Sequence, residues 1–125
     1  MILDTNAISA LLGGDSLIGD ALQGESRHHL PVIVIGEYRC GLARSRDRNR
    51  LSRLFELLID HSAVLSVEIE TTTHYAVLRE DLRRRGRPIP MNDLWVAALA
   101  RQYDLPIVTR DDHFAEIPGL RLVSW

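Results

Sequence analysis

Short apolar segments alternate with helical segments along the whole chain, and this alternation limits the folds open to it. The apolar segments at residues 1–3, 30–35, 63–67, 106–109 and 120–125 predict strands. Between them, apolar spacing and capping residues predict helices at 5–12, 16–24, 37–46, 49–60, 68–85 and 92–104. Residues 30–35 are continuously apolar, which is typical of a parallel strand covered on both faces. The pattern predicts an α/β fold with a mostly parallel sheet, in which ligands bind at the carboxyl ends of the strands.

Size and composition exclude several other classes of protein. The 125 residues, 46% of them hydrophobic, predict one domain over residues 1–125 with its own core. No apolar run approaches the ~20 residues that cross a bilayer, and no basic and apolar leader precedes Asp4, so we expect no membrane segment and a cytoplasmic location. Cys40 is the single cysteine, which excludes an internal disulfide or a thiolate-rich zinc site and predicts a small buried packing residue.

The basic residues are unusual because all 15 are arginine. A chain without lysine cannot be a phosphate-loop ATPase or a Schiff-base enzyme, and it lacks the lysine that receiver-type signalling domains need. Two stretches, 39–53 and 79–87, hold eleven of these arginines. Guanidinium groups bind phosphates through paired hydrogen bonds, so these stretches are candidates for contact with a polyanion.

Four acidic residues lie where predicted strands end or helices begin: Asp4, Glu37, Asp93 and Asp111. In the predicted fold such positions converge, and carboxylates that lie close together repel one another unless a cation neutralises them. Oxygen ligands without clustered His or Cys favour Mg²⁺ or Mn²⁺. A metal in this position could activate water against a phosphodiester bond. The sequence therefore predicts a nuclease with an acidic centre and a basic rim.

Further residues are assigned supporting roles in this hypothesis. Thr5, Asn6 and Thr109 lie beside the acids and could hold water or a phosphate by hydrogen bonds. The candidate RNA-binding residues are Arg39, Arg44 and Arg110.

Four segments resemble motifs of PIN-domain ribonucleases, and of the VapC-type toxins among them: residues 1–6 (MILDTN), 36–41 (GEYRCG), 89–98 (IPMNDLWVAA) and 108–114 (VTRDDHF). The resemblance implies a single domain with about five parallel strands flanked by helices. It also implies an Mg²⁺- or Mn²⁺-dependent endoribonuclease that cuts RNA such as tRNA or rRNA, forms a homodimer and is neutralised by a VapB-like antitoxin. The family's acids fall on Asp4, Glu37, Asp93 and Asp111. Members vary in the last loop, so Asp112 is an alternative to Asp111.

Simpler roles compete with these assignments. Asp4 and Asp111 could be helix caps alone, and the helix dipole favours Glu37 and Asp93 where they stand. We interpret His113 as a loop residue outside the site. Trp95 and Trp125 are interpreted as packing residues rather than a base-stacking surface. The alternative function is a catalytically inactive PIN-like module that binds RNA or protein.

Overall fold

The strands of the computed structural model, which describes residues 1–125, form one parallel sheet. They are short: β1 (Ile2–Leu3), β2 (His29–Pro31), β3 (Ala63–Leu65), β4 (Ile107–Val108) and β5 (Leu122–Val123). Their order across the sheet is β3-β2-β1-β4-β5, and every neighbouring pair is parallel. The predicted class, an α/β domain with about five parallel strands, is confirmed.

Six α-helices and one 3₁₀ helix connect and cover these strands. The α-helices are α1 (Thr5–Leu12), α2 (Ser16–Ala21), α3 (Val32–Leu42), α4 (Arg48–Asp60), α5 (Ile69–Arg84) and α6 (Met91–Tyr103), and the 3₁₀ helix spans Asp112–Glu116. None of these helices combines the length and the apolar composition that a membrane span requires. Helices α4, α5 and α6 begin and end within one residue of their predicted bounds.

Helix α6 is the helix with the most buried residues in the core. Six of its residues are buried, in an unbroken block from Val96 to Ala100 preceded by Leu94. The sheet contributes Ile2, Leu3, Ile107 and Val108, all fully buried. Burial of this apolar surface stabilises the domain and holds the first turn of α6 in a fixed position. That turn carries Asp93.

The predicted strand at residues 30–35 is wrong over most of its length. Only His29–Pro31 pair in the sheet, and α3 begins at Val32. Pro31 is the last extended residue, with φ −60° and ψ 139°, and it is the N-cap of α3. From there on, Val34, Tyr38 and Leu42 are buried at helical spacing. Glu37 consequently lies inside α3 rather than at its start.

The structure also differs from two smaller predictions. The helix expected over residues 16–24 ends at Ala21, and its cap is Asp15, whose side chain accepts a hydrogen bond from the Leu17 amide. Cys40 is exposed rather than buried. It lies on α3 two residues after Tyr38, which is buried, so its side chain falls on the opposite side of the helix.

Candidate metal centre

Asp4 lies at the carboxyl end of β1, the central strand of the sheet. The strand order reverses here, because β2 and β3 lie on one side of β1 while β4 and β5 lie on the other. Such a reversal opens a crevice at the carboxyl ends of the strands, where ligands bind in α/β folds. Asp4 is only 3% exposed. The fold therefore places a buried carboxylate at the position where a ligand is expected.

Hydrogen bonds from residues that follow β1 and β4 hold the Asp4 carboxylate. The Thr5 amide donates to its Oδ1 at 2.8 Å, and the Thr109 hydroxyl donates to its Oδ2 at 2.9 Å. Leu3 pairs with Val108, so the residues that follow them, Asp4 and Thr109, lie side by side. Asp4 is also the N-cap of α1. The capping role and the position in the site thus belong to the same side chain.

Asn6 and Thr109 extend this network to the loop after β4. The Asn6 amide Nδ2 lies 3.3 Å from both Asp4 Oδ2 and Thr109 Oγ1. Asn6 Oδ1 accepts from the Arg110 amide at 3.2 Å, and Thr109 Oγ1 accepts from the Asp111 amide at 2.9 Å. The loop that carries Asp111 is therefore tied to β1. Thr5, Asn6 and Thr109 do lie beside the acids, as the sequence suggests.

Asp93, Asp111 and His113 form a second group around this point. One possible ligand atom from each of the three lies within 4.8 Å of the others. His113 Nδ1 lies 3.0 Å from Asp93 Oδ2 and 3.1 Å from Asp111 Oδ1. The sequence predicts His113 to be a hydrogen-bonding loop residue outside the site, and the structure places its ring beside both carboxylates, at the start of the 3₁₀ helix. Asp111 caps that helix, accepting from the His113 amide at 2.9 Å.

The charges of three acids act on one another. Burial raises the pKa of Asp4, and the negative charge of Asp111 raises it further, while hydrogen bonds from Thr5 and Thr109 oppose the shift. Burial raises the pKa of Asp93 as well, against the contact with His113 and together with the charges of Asp111 and Asp4. Asp4, Asp93 and Asp111, which are distant in sequence, thus converge into one repelling cluster.

Glu37 lies at the edge of this cluster rather than within it. Its Oε1 accepts a hydrogen bond of 2.7 Å from Asn92 Nδ2, the residue before Asp93. It also lines a cavity of about 380 Å³ between α1, α3 and α4, with Thr5 and Arg50 among the other lining residues. A larger cavity of about 550 Å³ lies elsewhere, against Tyr75, Leu82 and Ile89, and contains no acidic side chain.

The remaining predicted site residues have diverse surroundings. Asp112 is exposed, lies outside the group formed by Asp93, Asp111 and His113, and lines a surface depression with Arg110. Arg39 forms an ion pair of 2.6 Å with Glu56. The Arg110 guanidinium stacks 4.2 Å from the Trp125 ring and donates to the Trp125 carbonyl. Arg44 is exposed and forms no ion pair.

The donor set is suited to a divalent cation. Asp93, Asp111 and His113 present two carboxylate oxygens and an imidazole nitrogen within coordination reach of one another, and Asp4 adds negative charge. A cation there would offset the burial and the neighbouring negative charges that together raise the pKa of Asp93. The sequence missed His113 because a lone histidine beside an apolar residue gives no ligand spacing. Its place two residues after a strand-end acid is the one available signal.

Comparison with known proteins places this architecture in a family. The model of the PIN domain family matches residues 1–120. Ribonuclease VapC5 of Mycobacterium tuberculosis is 34% identical over 98% of the chain and 91% of its own length. The tRNA(fMet)-specific endonuclease VapC of Shigella flexneri is 30% identical over 74% of the chain and 71% of its own length.

A solved structure extends this likeness to three dimensions. VapBC-5 of Mycobacterium tuberculosis, described as a member of the VapBC family of toxin-antitoxin systems, contains a chain with a TM-score of 0.77 and 31% identity. The match covers 99% of this chain and 97% of that one. The fold and the sequence therefore agree on the family.

Proposed function

Because the chain belongs to the PIN-domain family and, within it, to the VapC ribonucleases, we propose that it is a metal-dependent endoribonuclease acting as the toxin of a toxin–antitoxin pair. The observation that carries the proposal is the convergence of Asp4, Asp93 and Asp111 at the carboxyl end of the sheet. Repelling carboxylates in a crevice are costly to a fold that does not use them, and they suit a cation and a phosphodiester substrate.

The cofactor in this proposal is Mg²⁺ or Mn²⁺, held by Asp93, Asp111 and Asp4. When bound, such an ion supplies Lewis-acid polarisation of the phosphodiester and activates water as a nucleophile. The Asp4 carboxylate is held in place by Thr109 and Thr5, which fixes the direction of its free lone pairs. Glu37, held by Asn92, lies beside the same crevice and is suited to accept a proton from an attacking water.

RNA would follow the exposed surface that surrounds the crevice. The cavity beside Glu37 is lined by Thr5 at one end and by Arg50, which is ion-paired with Asp47 at 2.7 Å, at the other. Arg44 is exposed without an acidic partner and is therefore available to a phosphate group. A structured RNA such as tRNA is the proposed substrate class, since a relative is named as a tRNA-specific endonuclease. Such a substrate implies action in the cytoplasm.

The proposed protein partner is a VapB-like antitoxin, since the similar solved chain belongs to a VapBC toxin-antitoxin system. We also propose that the chain forms a homodimer. Coexpression with a VapB-type antitoxin should give a stable complex, and light scattering of the purified chain should give twice the mass of 14.2 kDa. Failure of both measurements would remove the partner assignment without touching the nuclease.

Controlled expression followed by sequencing of RNA 5′ ends tests the activity. The wild type should stop growth and produce new ends at defined positions in a small number of RNAs. Asp93→Asn should produce neither, while Asp60→Asn, an exposed acid at the end of α4, should behave as wild type. If wild type and Asp93→Asn give the same RNA ends, the chain is a binding module rather than a nuclease.

A further inference from the structure

His113 is anchored through its backbone, and its ring contacts two carboxylates of the cluster. Its backbone amide donates a 2.9 Å hydrogen bond to Asp111 Oδ1, and the adjacent Phe114 is completely buried. These two contacts hold the start of the 3₁₀ helix in place. From this anchored position the ring directs a single nitrogen, Nδ1, at two carboxylates of different elements. The side chain is about half exposed, which leaves the cluster open to an ion from solvent.

We infer that His113 is a direct nitrogen ligand of the cation held by Asp93 and Asp111, an inference that rests on the proposed function. Its basis is the spacing of the three donor atoms. Two ligands at right angles around an ion ~2.1 Å from each are ~3.0 Å apart. Nδ1 lies 3.0 Å from Asp93 Oδ2 and 3.1 Å from Asp111 Oδ1. These separations match two edges of an octahedral ligand shell.

A purely orienting role is the competing explanation of the same contacts. In that case Nδ1 carries a proton and shares it between two carboxylates, and the ring never touches the ion. One N–H aims well at one acceptor, and its bond to a second acceptor is weakened by the angle. A cation contacted by all three donor atoms satisfies both carboxylates and the nitrogen together, which is why the ligand role accounts better for the arrangement.

The consequence is a preference among cations. An all-carboxylate site suits Mg²⁺, whereas an imidazole nitrogen favours transition metals over Mg²⁺. With His113 as a ligand, the chain should bind Mn²⁺ more tightly than Mg²⁺. Removing the nitrogen should lower the affinity for Mn²⁺ by roughly tenfold, within the range of changes around metal ligands, and affect Mg²⁺ far less.

Electron spin echo spectroscopy of Mn²⁺ added to the purified full chain provides a direct test, since nitrogen bound to Mn²⁺ modulates the echo. The variant is His113→Asn, because its side-chain amide can still hydrogen-bond to Asp93 and Asp111. The matched control is His74→Asn on α5, a histidine 3.9 Å from Glu70. Titration of Mg²⁺ and Mn²⁺ by calorimetry supplies the affinities of all three proteins.

We expect nitrogen modulation in the wild type and in His74→Asn and its loss in His113→Asn, together with a reduced preference for Mn²⁺. Binding of Mn²⁺ to the wild type without nitrogen modulation would overturn this inference and leave the proposed nuclease intact. Absence of any Mn²⁺ or Mg²⁺ binding to the wild type would overturn both the inference and the metal dependence of the proposed function.

Discussion

The hydroxyl of Thr109 donates a 2.9 Å hydrogen bond to the buried carboxylate of Asp4, across 105 residues of sequence. The bond joins the ends of two neighbouring parallel strands and holds in place a charge that burial disfavours. It also places Thr109 Oγ1 where it accepts a hydrogen bond from the Asp111 amide. One hydroxyl thereby links the first and last acids of the cluster.

Thr109→Val should destabilise the protein, because it removes a donor to a buried charge and leaves the Asp111 amide without its acceptor. We expect the free energy of unfolding at pH 7 to fall by about 1–3 kcal/mol, measured by urea denaturation. Thr109→Ser keeps the hydroxyl and should lose less. A loss in Thr109→Ser with none in Thr109→Val would show that the methyl group, not the hydrogen bond, is what stabilises this position.

The structure distinguishes two adjacent acids that the sequence leaves as alternatives. Asp111 lies within the group that it forms with Asp93 and His113, while Asp112 is exposed and outside that group. Asp111→Asn should therefore reduce RNA cleavage by a factor of about 100 or more, as expected for loss of a group that holds the metal, and Asp112→Asn should change it little. Cleavage assays of both purified variants under one set of conditions make the comparison. A larger loss in Asp112→Asn would reverse the assignment.

Most of the fold could be predicted from the sequence because α4, α5 and α6 carry strong helical spacing and clear ends. The failure at residues 32–35 has a physical cause. Val32, Ile33, Val34 and Ile35 favour strands by local preference, but tertiary packing overrides that preference. Val34, Tyr38 and Leu42 are spaced four residues apart and are all buried in α3. This helical spacing is the feature of the sequence that indicates a helix here.

The site could be predicted only in part, because its residues are distant in sequence and the order of the strands brings them together. Asp4 and Asp111 follow short strands, and Asp93 follows the prolines that precede α6, so their positions are visible in the sequence. The direction of a side chain is not. His113 enters the cluster through the 3₁₀ turn, and Glu37 lies inside α3 and contacts Asn92, neither of which leaves a residue pattern.

Asp93→Asn should also change how stability depends on pH. Since the folded protein raises the pKa of Asp93 above its ordinary value of 3.8, the folded state binds this proton more tightly than the unfolded state. The resulting stabilisation is fully present below pH 3.8 and is lost as pH rises through the folded pKa.

In metal-free buffer, the free energy of unfolding of Asp93→Asn minus that of the wild type should therefore increase as pH rises from 4 towards 7, measured by urea denaturation at several pH values. Addition of Mg²⁺ or Mn²⁺ at pH 7 should stabilise the wild type more than the variant. A difference that decreases with rising pH would contradict the raised pKa of Asp93.

Arg44 and Arg39 should differ in their contributions to RNA binding. Arg39 is paired with Glu56 at 2.6 Å, whereas Arg44 has no acidic partner. Arg44→Gln should weaken binding of a tRNA by an Asp93→Asn protein and lower the salt slope by about one unit, the contribution of one phosphate contact. Arg39→Gln should have a smaller effect. Fluorescence anisotropy at several salt concentrations measures both quantities, and unchanged slopes in both variants would remove these arginines from the RNA interface.

Cleavage of RNA by the purified chain, before and after chelation of divalent cations, tests the central claim most directly. Dialysis against EDTA should stop cleavage while binding of the RNA persists, and addition of Mn²⁺ or Mg²⁺ should restore cleavage in the wild type but not in Asp93→Asn. Cleavage at an undiminished rate in the presence of excess chelator would contradict the claim that these carboxylates act through a metal ion.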